Sequence, residues 1–374
     1  MTNDSKASPD TAERQGASSA EPAAGGLAAA DAAASGKFRL AAPVGAFAMI
    51  VALVLAIALL TRGGGDDAAS ADPAAGMDST ERAATLEVAL EDARRLLARQ
   101  NEPEKAKLLL EKLIERFPDS QAAHQLLADA HFSTGDSLQA YEHMDVSLTL
   151  GEDHPEMRFA TFMFAEDAEL LDEALKHLLK AEELDPASVK YPVYMAALRL
   201  KRNEPQEAKA SLLRAVQLDE GVAQAWGMLA QIAFDENKLN IAKQHVGKAR
   251  ELEPESTAYR VLEARILRRA MQPERAANVL MGVPDRQLYG DPMIAEELAV
   301  SLLMLGEKAR AAQVYVDAAE ANPENAELAF KAAELLEQTG DERRALRYAD
   351  RAKFLGHERA EELADRLAAE RFGG

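Results

Sequence analysis

The sequence predicts an all-α solenoid of stacked helix hairpins, carried behind one membrane-spanning helix. Three observations predict it: an alanine that returns at a fixed interval, a glycine or asparagine that returns between the halves of each period, and one long uncharged apolar run near the N-terminus. The 374 residues are 48% hydrophobic, enough to bury a core, and carry 43 Lys and Arg against 63 Asp and Glu, a net charge of −20. Such an acidic chain lacks the basic face that phosphate neutralisation needs, so a nucleic-acid partner is not expected. Without cysteine there is no disulfide framework, thiol nucleophile or iron–sulfur cluster.

Residues 1–36 hold Ala, Ser, Pro, Gly and scattered charge, with Met1 and Leu27 as the large apolar side chains. They cannot repay the entropy of ordering and are expected to form a disordered tail. Residues 38–61 read as a transmembrane helix, because the stretch 40–60 carries no charge and as a helix spans roughly 31 Å, the thickness of a bilayer core. A cleaved signal peptide would have a shorter apolar run and a shorter leader. Lys6, Arg14, Lys37 and Arg39 precede the span and Arg62 and Arg82 follow it, which predicts a cytoplasmic N-terminus. Ala48, Ala52 and Ala56 give the span a small-residue spacing that fits a homo-oligomer. Residues 62–77, rich in Gly, Ala and Asp, have the composition of a flexible linker, and helical periodicity begins at Asp78 and runs through 374.

Within 78–374, Ala106, Ala140, Ala174, Ala208, Ala242 and Ala276 are evenly spaced, a step longer by one position reaches Ala311, and the regular step then reaches Ala345. A second small position, Ala128, Ala196, Ala230, Ala264, Ala299 and Ala333, keeps the same beat. Two helices that approach closely need methyl-sized side chains at the contact and large ones beside it, and Leu110, Leu178, Leu212 and Leu280 supply the latter. Asn101, Gly135, Asn203, Asn237, Gly306 and Gly340 fall between the two helices, where a terminus takes a left-handed residue. Pro118, Pro186, Pro254 and Pro323 close the second helix of their units. Units are expected to start near 87, 121, 155, 189, 223, 257, 292 and 326. Arg94 and Phe162 break the small-residue rule, and 282–292 is irregular. Residues 358–372, with Leu363 and Leu367 on one face, read as a helix capping the end of the stack.

Aligned in this way, the segment resembles the tetratricopeptide repeat (TPR) family, most closely at 223–256, where Trp226, Leu229, Ala230, Ala242, Ala249 and Pro254 occupy the family's Trp, Leu, small, Ala, Ala and Pro positions. The resemblance implies a TPR-type superhelix whose first helices line an inner groove and bind a protein or peptide. The family's inner positions map onto Phe132, Phe159, Met163, Val193, Ala197, Met228, Gln231 and Phe234, accompanied by Gln125, Asp129 and Glu166. Arg265, Arg268 and Arg269 form a basic spot in an acidic domain, suited to a carboxylate. The Lys and Asn clamp of chaperone-tail receptors is missing, since Glu91, Arg95, Gln125 and Asp129 stand at the matching places of the first units. Anchored members of this layout serve bacterial cell-envelope assembly, in secretion, pilus formation, polysaccharide export or cytochrome maturation. The resemblance with the charge bias therefore implies an inner-membrane protein with a periplasmic repeat domain. The alternative is a cytosol-facing docking receptor for proteins delivered to the membrane.

No enzyme is expected. His124, Asp129 and His131 are the one cluster that invites catalysis, but His residues seven apart on a helix lie roughly 10 Å from each other, too far to share a metal unaided. By repeat phase His131 stands at the family's packing tyrosine. Catalytic residues, metal ligands and cofactors are expected to be absent, as no HExxH, Walker or dinucleotide fingerprint occurs.

Overall fold

The computed structural model describes residues 79–98 and 101–372, which form helices and turns with no strand among them. The first helices of the eight hairpins are α1 (Ser79–Ala98), α3 (Gln121–Ser133), α5 (Pro155–Asp167), α7 (Lys190–Lys201), α9 (Ala223–Asp235), α11 (Thr257–Arg269), α14 (Pro292–Met304) and α16 (Ala326–Gln338). Their partners are α2 (Pro103–Arg116), α4 (Ser137–Leu150), α6 (Leu171–Leu184), α8 (Pro205–Leu218), α10 (Leu239–Leu252), α12 (Pro273–Leu280), α15 (Lys308–Ala321) and α17 (Glu342–Phe354). A short α13 (Asp285–Gly290) and a terminal α18 (Ala360–Phe372) complete the described chain. Each second helix packs on its own first helix and on the first helix of the next unit. Among the described residues no helix is long and apolar enough to cross a membrane. The predicted tail 1–36, span 38–61 and linker 62–77 lie outside the described residues.

Local chemistry sets the helix ends. Proline stands in the first turn of α2, α5, α8, α12 and α14, where its missing N–H is no loss. Ser120 caps α3 by accepting from Ala123 N at 3.3 Å, Asn325 caps α16 through Leu328 N at 3.0 Å, and Asp341 caps α17 through Arg344 N at 3.2 Å. Asn101, Gly135, Asn203, Asn237, Gly306 and Gly340 all have positive φ, as the turn pattern requires.

The alanine ladder is the seam of the fold. All eight second-helix alanines from Ala106 to Ala345 are 0% exposed, and the six first-helix alanines are 0–1% exposed. Methyl contacts there let neighbouring helices close to roughly 8–10 Å. Around them Leu110, Leu178, Leu212 and Leu280 are fully buried. Ion pairs such as Lys201–Glu166 at 2.7 Å and Lys331–Glu296 at 2.6 Å join successive units at the surface, each worth about 0–1 kcal/mol.

The departures have physical causes. Helix α1 starts at Ser79, beside the Asp78 where helical periodicity begins, and so runs ahead of the start of unit one near 87, because nothing from Thr80 to Leu86 breaks a helix. The cap helix begins at Ala360, slightly later than expected. Phe162, where six of the units have alanine, is 1% exposed and packs edge-on to Tyr194, with ring centroids 5.8 Å apart. Arg94 turns its guanidinium to Glu87, 3.3 Å away. In unit six α12 stops at Leu280, and the irregular stretch re-forms as α13, which starts after Pro284 and seats Leu288 in the core.

Units three and six turn on Glu169 (φ 61°) and Met271 (φ 57°), side chains that gain nothing from the left-handed region. Both are solvent-exposed, Met271 at 76%. Asparagine already serves this position in three units, so Glu169→Asn and Met271→Asn should each raise stability by about 0.5–1 kcal/mol. A urea midpoint that stays put or falls in both variants would contradict this.

Candidate functional site

The first-helix face holds the predicted groove residues, and the structure divides them into two groups. Phe132, Met163 and Gln231 remain half-exposed. Val193, Ala197 and Met228 are buried in one core cluster with Ala208 and Leu212, so they pack the stack and offer no open surface. Phe159 and Phe234 are 9% and 8% exposed. Phe159 sits among aromatic rings, with Tyr194 edge-on at 4.9 Å and the Lys190 ammonium 4.7 Å from its centroid. Phe234 is covered by the guanidinium groups of Arg265 and Arg269, at 5.5 and 4.8 Å.

The basic spot is therefore already engaged within the chain. Arg265 and Arg268 both pair with Glu297 on α14, at 3.4 and 2.9 Å, while Arg265 and Arg269 cover Phe234. Lys190 and Tyr194 join this face unannounced. Lys190 stands at the second position of its unit, one of the family's inner places, which was the signal available for it. Burial lowers the Lys190 pKa, an effect that Glu156 and Asp185 partly oppose, and burial raises that of Tyr194.

On α3 the inner face is polar and closed. Gln125 and Asp129 are 6% and 7% exposed, one helical turn apart, and Phe132 follows on the same side. The ring of Phe132 lies 4.7 Å from that of Phe164. Among the described residues the Asp129 side chain makes no hydrogen bond or ion pair, and Gln125 Nε2 is buried without a partner. Desolvation alone pushes the Asp129 carboxyl up to about 7.

His124 and His131 meet through a residue that sequence spacing does not reveal. His143 on α4 brings Nδ1 to 3.2 Å from His124 Nδ1, and its ring stacks on His131 at 5.4 Å. His124 Nε2 lies 3.0 Å from the Pro118 carbonyl oxygen, which can only accept. Nε2 of neutral His124 therefore carries the proton, and its Nδ1 accepts from His143 Nδ1–H. His131 Nδ1 faces Asp136 at 3.3 Å. Burial, followed by the charges of His124 and His131, lowers His143 to about 4. Among the described residues no group of three or more His, Cys, Asp or Glu has a geometry that could hold a metal ion.

Comparison with known proteins gives resemblances of fold. No protein-family model matches the chain, and no curated protein matches it. Among solved structures, a tetratricopeptide repeat protein from Parabacteroides merdae is 16% identical, with 69% of this chain and 98% of that one covered at a TM-score of 0.47. PilF of Pseudomonas aeruginosa is 19% identical, covering 59% and 98% at 0.46. YrrB, described as a TPR protein with an unusual peptide-binding site, is 21% identical, covering 52% and 98% at 0.42. These overlaps are loose. The helix hairpins themselves, repeating at the alanine period with left-handed turns between their halves, give the chain its TPR-like solenoid form.

Proposed function

We propose that the chain is a scaffold that holds a protein or peptide partner along its first-helix face. The observation that carries this reading is the row Phe132, Met163, Gln231 on α3, α5 and α9, side chains left half-exposed on a buried, regular ladder. A rigid face with spaced apolar and amide groups suits an extended or helical segment. On this reading residues 40–60 anchor the protein in a bacterial inner membrane, with the repeat domain in the periplasm and the task in envelope assembly. A linker spanning 62–77 has a reach of about 20 Å and raises the effective concentration of membrane-bound partners toward millimolar, so weak contacts suffice.

Photo-crosslinkers placed at 132, 163 and 231 in living cells should trap one common partner, and a crosslinker at the exposed Lys180 on α6 should not. Equal capture from position 180 would count against the binding face. Protease added to intact cells with a permeable outer membrane should remove the repeat domain; its survival until lysis would place the domain in the cytosol instead.

A further inference from the structure

The second helices turn one register outward along the whole stack. It passes through Leu108 on α2 and Glu142 on α4, and it is solvent-exposed in all eight units. Seven units place a polar side chain or alanine there, Lys176, Gln244 and Arg347 among them, but unit one places Leu108, 57% exposed. One turn to either side of this register α4 carries Leu138 and Val146, 48% and 40% exposed, and no later unit has a large apolar side chain at those places. Outward-facing apolar side chains therefore gather on the first two units, on the opposite helices from the first-helix face, and such a gathering marks a contact.

The charges around Leu108 say what covers it. Glu104 and Glu111 lie on one flank of its stripe and Lys105 and Lys112 on the other, three and four positions away along α2. Glu111 and Lys112 make no ion pair or hydrogen bond among the described residues. Lys105 and Glu104 hold the within-helix partners Glu102 and Lys107, at 2.8 and 3.3 Å, exposed pairs that exchange at little cost. Two antiparallel copies of α2 would set each flank against its own kind, Glu104 facing Glu111 and Lys105 facing Lys112. Two parallel copies set the acidic flank against the basic one. From this pattern we infer that α2 packs in parallel on α2 of a second copy of the chain, Leu108 against Leu108 about a two-fold axis. Lys112 of each copy then pairs with Glu111 of the other, and Lys105 with Glu104. Glu115, two turns beyond Leu108 on the same face, meets its counterpart only if the helices run straight; a crossing at Leu108 of the usual angle carries the two apart. The pairing uses second helices and leaves the first-helix face open, so it stands or falls separately from the proposed groove.

Cysteine substitution tests the pairing directly, because the chain has no cysteine of its own. In the full-length chain, held in detergent with micelles in large excess over protein, Leu108→Cys should form an intermolecular disulfide on mild oxidation. Gln244→Cys, at the same register in unit five, should not. Sedimentation equilibrium then measures the dimer. Leu108→Gln should raise its dissociation constant at least about tenfold with no loss of helical circular dichroism, since an exposed amide already serves this register in unit five. Lys112→Glu should weaken the dimer by a similar factor, and Lys112→Glu combined with Glu111→Lys should bring it back to within about threefold of the parent. An antiparallel pair would respond the other way, tightening in Lys112→Glu, which would then oppose Lys105. The inference is overturned by a monomeric parent, by equal disulfide yields from 108 and 244, or by a dimer that Leu108→Gln leaves unchanged, which another surface such as residues 40–60 would then hold. A Lys112→Glu dimer as tight as the parent's or tighter, or a double variant no stronger than Lys112→Glu, overturns it as well.

Discussion

Leucine in place of Ala242 is expected to destabilise unit five by about 2–3 kcal/mol, the upper range for overpacking a closed site. Ala242 on α10 is 0% exposed and shares a cluster with Ala230, Val246, Ala249 and Tyr259. Three added carbons have no void to enter, and relief requires α9 and α10 to separate. Solenoid units stabilise mainly their neighbours, so loosening unit five should also uncouple the units before it from those after it. Trp226, the chain's one tryptophan, lies in this unit and donates its indole N–H to the Glu220 carbonyl at 2.9 Å. In urea, Trp226 fluorescence of Ala242→Leu should change at lower denaturant than the helical circular dichroism, and the single transition should broaden. The exposed neighbour Gln244→Leu should change stability by no more than about 0.5 kcal/mol. If both variants unfold like the parent, the alanine period does not mark the close helix contacts.

What the sequence displayed and what it hid follow from how each contact is made. The alanines and the left-handed asparagines and glycines answer to local steric limits, which admit few residue types, so they are visible in one sequence. Glu169 and Met271 meet the same backbone demand with residues that do not advertise it, although phase alone, one period after Gly135 and Asn237, points to them. His143 could not be tied to His124 because their contact crosses the hairpin and depends on the rotation of α4 against α3. Phe159 and Phe234 sit at inner positions, yet Lys190, Tyr194, Arg265 and Arg269 close over them, an event decided by side chains on the next unit. Asp129 was placed on the inner face by phase; that it has no partner is a property of the packed structure. Repeat phase marks where the pattern of unit one begins, near 87, whereas α1 reaches back to Ser79, next to the Asp78 at which helical periodicity starts, because a helix extends until its sequence stops it.

Acidification from pH 7.5 to pH 4.5 should weaken the repeat domain through two histidines, His177 buried and His143 half-buried, with one carboxyl acting in the opposite sense. His143 and His177 both titrate near 4 when folded and near 6.5 when unfolded. His177 is held down by burial and then by Arg158, whose Nη1 lies 3.1 Å from Nδ1; Asp145 and Glu173 oppose the shift, and Lys176 adds to it. A depressed histidine stabilises the fold fully above its unfolded value, and that stabilisation is lost as pH falls from 6.5 toward 4, because only the unfolded chain takes up the proton. Each histidine should contribute about 1–3 kcal/mol to this loss, allowing for partial solvation. Asp129 has a raised pKa, so its contribution is fully present below 3.8 and is lost as pH rises toward 7. It therefore offsets part of the histidine loss over the same window. The variants separate the terms. His143→Gln with His177→Gln should flatten the dependence of the urea midpoint on pH between 6.5 and 4.5, whereas Asp129→Asn should steepen it. His143 holds the contact between α3 and α4 through His124 Nδ1, 3.2 Å away, so the proton that the unfolded chain takes up at this ring should loosen that contact first. Hydrogen exchange at pH 5 should then open the amides of unit two before those of unit seven; opening in the reverse order, or a double histidine variant whose pH profile runs parallel to the parent's, would show that these rings do not control the acid response.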